Sequence, residues 1–427
     1  MRRADSWTPL AIQDACIRVT SGGTPLRSNR SFYDGGTIPW VKTGELNDWY
    51  IEDTEEHITE EGLAHSSAKL FEPETVLMAM YGDGRTITSL GILRRPATSN
   101  QACCAMIADP KICHPLFLFY SLKAYRHVLL KLAYGGSQRN LNAKTIKEFA
   151  IPIPSLVTQE CVVRVLSAYD HLIENNTRRI KILEEMAHML YREWFVHFRF
   201  PGHEKVRMVQ SELGPIPEGW TVTSFDSLSE VLSGGTPKTS EPAYWDGSIP
   251  FFGPTDAPDA FFVLSTTRRV TELGLSKCNS KLYPAETVFI TARGTVGKVA
   301  LPACEMAMNQ SCYALKGKQG VNQLALFLMT KHLAEQLKKK ATGAVFDTIT
   351  VDTFQKLRVV RSVDELLARL ESEVRPIFAL LLNLLRRNAN LRTTRDLLLP
   401  KLISGEIPVD AAEETATELQ EEIALHA

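Results

Sequence analysis

The sequence predicts a mixed α/β (α+β) protein built twice from one plan. Two globular heads are each followed by a long helix, and the helices zip into an antiparallel coiled coil with an overall pseudo-twofold axis. Three observations predict this. Short blocks recur about 210 residues apart: Ser21-Gly22-Gly23-Thr24-Pro25 returns as Ser233-Gly234-Gly235-Thr236-Pro237, and the stretch 33–40 as 244–251. Thr59 to Leu63 returns as Thr271 to Leu275, Glu74-Thr75-Val76 as Glu286-Thr287-Val288, and Asn100-Gln101 as Asn309-Gln310. Each copy ends in an apolar seam with alternating four- and three-residue steps, and within each copy β-rich runs and helical stretches fall in matching places.

The first head is expected over 1–155, with strands near Thr75–Met80 and a helix over Leu116–Leu132, set between Gly, Pro and Asn turns. A first long helix follows over 156–200. Its seam runs Val162, Leu166, Tyr169, Ile173, Asn176, Ile180, Leu183, Ala187, Leu190, Trp194, the spacing of a coiled coil rather than of a broad core face. The second head, 201–360, repeats the plan with strands near Thr287–Thr291 and Val299–Leu301 and a helix over Gln323–Lys340. The second long helix, 361–405, repeats the seam 208 residues on, through Leu370, Val374, Ile377, Leu381, Leu384, Asn388, Leu391, Arg395, Leu398 and Leu402. Pro376 should start or kink that helix and Pro400 should end or bend it. Each seam holds one asparagine, Asn176 and Asn388, expected in different layers; a buried amide there restricts register and partner, whereas one at the seam's edge merely meets water. The remaining residues, 406–427, form an acidic tail expected to be disordered.

Composition is that of an ordinary globular protein: 427 residues, 44% hydrophobic and 23% charged. No apolar run approaches the roughly 20 residues of a membrane span, and the start of the chain lacks the apolar core of a secretory signal, so the cytoplasm is the expected compartment. The eight cysteines show no metal-ligand spacing. Net charge is −1, but the last 22 residues hold seven acids and no Lys or Arg, and without them the charge is +6. That mildly basic balance suits weak nucleic-acid binding helped by partners better than a stand-alone DNA binder.

Enzymatic motifs are missing. The stretch 294–298 (GTVGK) lacks Walker spacing, the run at 82–84 lacks the third glycine of a dinucleotide fingerprint, and no HExxH, GxSxG or Asn-Pro-Pro-Tyr run occurs. What remains is recognition chemistry. Ser21, Gly22, Gly23 and Thr24, with Arg27, and Ser233, Gly234, Gly235 and Thr236, with Lys238, could cradle a phosphate on successive N–H groups; a plain turn is the alternative. The run Tyr81-Gly82-Asp83-Gly84-Arg85 aligns with Arg293-Gly294-Thr295-Val296-Gly297, Gly82 on Gly294, with Lys298 following. The flanking cations differ, and Arg85 and Arg293 suit bidentate contact with guanine or phosphate, a plain surface arginine being the alternative. Gln138, Arg139 and Asn140 close a glycine-hinged loop dense in base-reading side chains, whose counterpart, 342–348, shares little of that polarity. Asn100-Gln101 and its copy read as structural hydrogen bonding ahead of adenine-edge contact, and Lys338-Lys339-Lys340 as a solvated helix face ahead of phosphate contact.

Two heads with paired SGGTP starts, the motifs Ile38-Pro39-Trp40 and Ile249-Pro250-Phe251, the helix ending Leu190-Tyr191-Arg192-Glu193-Trp194-Phe195 and the closing run 397–407 resemble the specificity (S) subunit of type I restriction–modification systems over nearly the whole chain. The resemblance implies that each head is a target recognition domain reading one half of a bipartite DNA sequence. It implies that the helices are spacers and docking sites for two methyltransferase subunits, with Leu166, Ile173, Asn176, Ile180, Leu183, Trp194, Leu381, Asn388, Leu391 and Leu398 in that role. It further implies no catalysis and no cofactor on this chain, S-adenosylmethionine on the methyltransferase subunits, and ATP and Mg on restriction subunits where these join. The alternatives are a duplicated protein-interaction scaffold without DNA affinity, and a hydrolase using Asp83, Asp256 or Glu286.

Overall fold

Both heads are organised round a five-stranded sheet with the same strand order, as the computed structural model shows for residues 7–82, 86–133, 139–340 and 348–408. In the first the order is Cys16–Ser21, Cys103–Ala108, Val76–Ala79, Leu90–Leu93, Tyr50–Ile51; in the second it is Ser229–Ser233, Cys312–Gly317, Val288–Thr291, Val299–Pro302, Phe262–Val263. Neighbours are antiparallel except the last pair, which is parallel in both copies. A three-stranded sheet built on Ile38–Val41, or on Trp245–Phe252, stands beside it. A two-stranded sheet ties an early strand of each head to its last, Thr8–Ala11 to Ala150–Ile153 and Thr221–Ser224 to Arg358–Arg361; in the second head a hairpin, Met208–Ser211 with Gly214–Pro217, precedes it. The repeat in the sequence is therefore a repeat of topology.

The repeated residues explain the repeated turns. Thr59 and Thr271 cap short helices by accepting from the N–H of Gly62 and Gly274 at 3.1 and 3.0 Å. A side chain on either glycine would run into the carbonyl of Phe32 or Tyr244. Glu74 and Glu286 both take left-handed backbone, φ 65° and 64°, and the hydroxyl of the next residue donates to the carbonyl of Glu72 or Pro284 to close the turn.

The long helices are Leu156–Phe195 and Asp364–Ile403, each 40 residues. At 1.5 Å per residue each is about 60 Å long. The sequence sets them apart as spacers; by packing, each helix is divided between two units. One unit is the chain up to Asn175 with the chain from Asn390; the other is Asn176–Ala389. In the first unit the helical segments pack into the head's core through Val162, Leu166, Leu172, Leu391 and Leu402. In the second they do so through Ile180, Ala187, Trp194, Leu370, Phe378 and Leu384. Within the second unit Asn176 lies against Asn388, and the Arg369 guanidinium lies 5.7 Å over the Trp194 ring, so the segments run antiparallel.

Three expectations about the helices need correction. Pro376 and Pro400 neither start nor end a helix; both lie inside Asp364–Ile403. Both prolines are exposed, as are Ser372 and Asp396 four residues before them, so the carbonyls that lose an N–H partner face water. The seam is also broader than two positions per heptad. From Val162 to Ile173 the first helix is buried on nearly every side by head and rod together, and in the second helix burial falls on Phe378 and Leu399 rather than on Ile377 and Leu398. Finally, Asn176 and Asn388 share one layer: they are 1% and 2% exposed, and the Asn176 amide donates to the Asn388 carbonyl oxygen at 3.0 Å. The helix expected over Leu116–Leu132 is two, Pro115–Ala124 and Arg126–Leu132, broken at Tyr125.

Candidate nucleic-acid interface

The SGGTP loops are joints, not cradles. The N–H of Gly22 donates to the Cys103 carbonyl at 3.2 Å and that of Gly23 to Ser99 at 2.8 Å; Gly234 and Gly235 donate likewise to Cys312 and Met308 at 3.4 and 3.1 Å. With those amides engaged, no phosphate can be held on them. A Cβ on Gly22 or Gly234 would collide with the backbone of Ser99 or Asn309, so glycine is required by the close crossing of two chain segments. Thr24 and Thr236 donate to the side chains of Gln101 and Gln310. Asn100 and Asn309 accept from N–H groups two residues on, at 3.1 and 2.9 Å. Arg27 is tied to Glu56 and stacks 4.8 and 4.5 Å from the Tyr33 and Trp40 rings. Ser21 ends a strand and Ser233 another; Arg27, Ser233 and Lys238 are exposed, and the Lys238 carbonyl accepts from Trp245 at 3.2 Å.

The residues that differ between copies collect elsewhere. Tyr81–Gly82 pairs antiparallel with Arg139–Asn140, Arg139 opposite Gly82 and Asn140 opposite Tyr81. Two segments nearly 60 residues apart in sequence thus share one edge of the first head. Tyr81 is 43% exposed, and the N–H of Leu141 donates to the Met80 carbonyl at 2.9 Å, fixing the pair. Arg85, Gln138 and Asp83 lie outside the described residues. The second head repeats the arrangement: the N–H of Ile349 donates to the Ala292 carbonyl at 3.0 Å, next to exposed Arg293 and Gly294. Gly294 and Gly297 both take positive φ, 79° and 75°, which turns the loop sharply. Lys298 is less free than expected, since its ammonium holds Asp259 at 2.8 Å and so keeps that carboxyl below its usual range.

One cation here holds only second place in the sequence reading. A Cβ on Gly297 would meet Lys338 Cε at 3.1 Å, so Lys338 leans on the Arg293 loop instead of belonging only to a solvated face.

The residues expected to dock partners or to space the heads are mostly buried. Leu166, Ile173, Asn176, Ile180, Trp194, Leu381, Asn388 and Leu391 are at most 8% exposed and form the cores, while Leu183 and Leu398 are half-buried. A partner can reach instead a strip at helical spacing, Ile182, Met186 and Met189, exposed by 57%, 45% and 57%. Of the carboxylates in the hydrolase alternative, Asp83 lies outside the described residues, Asp256 accepts from the N–H of Gly253 and Thr267, and Glu286 pairs with Arg375 at 2.6 Å. Among the described residues no cluster of His, Cys, Asp and Glu could hold a metal, and no helix is long and apolar enough to cross a membrane.

The family model described as the type I restriction modification DNA specificity domain matches residues 5–185 and 217–360, one stretch for each head. The chain belongs to that specificity family. It is 26% identical over 413 residues to the type I restriction enzyme MjaIX specificity subunit of Methanocaldococcus jannaschii, covering 95% of this chain and 94% of that protein. The HindI specificity subunit of Haemophilus influenzae is 23% identical over 367 residues, 71% of this chain and 80% of that one. Among solved structures, the S subunit of a type I restriction–modification system from M. genitalium shares the fold, with a TM-score of 0.59 at 15% identity over 94% of this chain and 97% of that one. For this member of the specificity family, the residues common to both copies are those that hold each head together.

Proposed function

We propose that this chain is the non-catalytic recognition subunit of a cytoplasmic type I restriction–modification complex, each head reading one half of a bipartite double-stranded DNA target. The observation that carries the reading is a division of labour within each head. Residues repeated in both copies are engaged in joints and caps, whereas those that differ sit together on one edge, at Tyr81 with Arg139 and Asn140 and at Arg293 with Lys338. Two heads with one scaffold and different edges suit two different half-sequences, with side chains there supplying groove-edge and phosphate contacts.

Two methyltransferase subunits carrying S-adenosylmethionine would dock on the long helices, where Ile182, Met186 and Met189 offer an apolar strip. Two restriction subunits using ATP and Mg complete the complex in systems that have them. The test is to map methylated adenines made by the assembled complex containing Arg293→Ala or Arg139→Ala. Each variant should alter recognition of a different half-site, with unchanged thermal melting. An unchanged methylation pattern and unchanged DNA affinity in both would remove the edges from the site.

A further inference from the structure

The two long helices carry buried polar layers that the repeat does not duplicate. Asp170, 4% exposed, is ion-paired with Arg395, 9% exposed; Asp170 also accepts from the Tyr120 hydroxyl at 2.8 Å. Asn176 and Asn388 form the second layer, and the Asn388 amide donates to Thr177 Oγ1 at 3.2 Å. Applying the repeat offset of 208, the position matching Arg395 in the first helix is Ala187, and that matching Asp170 in the second is Phe378. Asn176 corresponds to Leu384 and Asn388 to Ile180. All four matching residues are buried in an apolar core. Each polar layer therefore has an apolar counterpart.

We propose that these unduplicated layers select pairing of the first helix with the second and reject pairing of either helix with a second copy of itself. The shared seam register leaves the apolar stripes able to accept both arrangements. In a like-with-like antiparallel pair that register sets Asp170 against Ala187 and Asn176 against Ile180, or Arg395 against Phe378 and Asn388 against Leu384, each twice over. An ionised group without its partner in an apolar layer is strongly disfavoured, and an unpaired amide less so. A single buried asparagine is enough to fix register and partner in coiled coils. The inference is independent of which bases the heads read.

The experiment uses the full-length chain. The layers are replaced by their apolar counterparts, Asn176→Leu with Asn388→Ile in one variant, and those two plus Asp170→Phe with Arg395→Ala in a second. Parent and variants are refolded from denaturant at rising concentration, and mass is measured by light scattering. The dimer-to-monomer ratio should rise at least about tenfold in the four-substitution variant and by less in the asparagine-pair variant. First-with-second pairing between two chains exists equally for all three proteins, so a difference reports like-with-like pairing. If the four-substitution variant does not fold, the asparagine pair alone decides, because it leaves the Tyr120–Asp170–Arg395 contacts intact. A ratio identical to the parent's in every variant that folds overturns the proposal.

Discussion

His188 sits on the first long helix with its ring 5.5 Å from Phe261 in an edge contact, and its Nε2 is buried without a hydrogen-bond partner among the described residues. Burial first, then the cations Lys331, His332 and Arg192, push its pKa from 6.5 down to about 4, with Glu335 opposing. The unfolded chain therefore takes up a proton as pH falls through 6.5, while the folded chain stays neutral until about 4. Between those values acid favours unfolding. Glu184, one turn earlier, is raised by burial despite its hydrogen bond from the Phe261 N–H and its Lys331 neighbour, and so pulls the other way. The difference between parent and His188→Gln isolates the histidine: the parent should lose several degrees more of melting temperature than the variant on going from pH 7 to pH 4.5. Equal losses would show that the imidazole is not held neutral.

At the scale of elements, the repeated glycines make a sharper prediction than the arginines do. Gly22→Ala and Gly234→Ala force a Cβ into the backbone of Ser99 or Asn309, so each should lower the melting temperature and the soluble yield, on the order of 2–3 kcal/mol of stability. Melting at the parental temperature would contradict the joint. The contrast explains what the sequence made legible. The mixed α/β class, the duplication and the two long helices followed from periodicity and repetition, because both report burial; the exact seam positions and the single layer shared by Asn176 and Asn388 did not. The role of SGGTP did not, because small residues with hydroxyls suit an anion cradle and a tight crossing alike, and only the destination of the Gly22 and Gly23 amides separates them. Asp170 was missed because one acid beside a seam looks like solvent-facing charge until Arg395 is placed opposite. Pro376 misled because a proline's cost inside a helix depends on which face it occupies.

For the whole molecule, the balance of charge matters more than any single contact. A formal net charge of −1, with seven acids in the last 22 residues, leaves little long-range attraction for a polyanion. DNA affinity of the free chain should be weak and fall steeply with salt, and should strengthen on adding the methyltransferase subunits. Binding unaffected by salt even in the assembled complex would favour the protein-scaffold alternative. Adding one heptad to both long helices preserves seam phase and should change the number of unread base pairs between half-sites. Adding it to one helix alone breaks the Asp170–Arg395 and Asn176–Asn388 register and should abolish assembly.

The strip at Ile182, Met186 and Met189 gives the free chain an unexpected sensitivity to oxidants. Peroxide converts exposed thioethers to sulfoxides, which are polar, chiral and poorly matched to an apolar partner. Brief oxidation before mixing should leave the heads folded yet block capture of methyltransferase subunits, and methionine sulfoxide reductases should restore it. A cell under oxidative stress would then make new complexes slowly while those already assembled went on working.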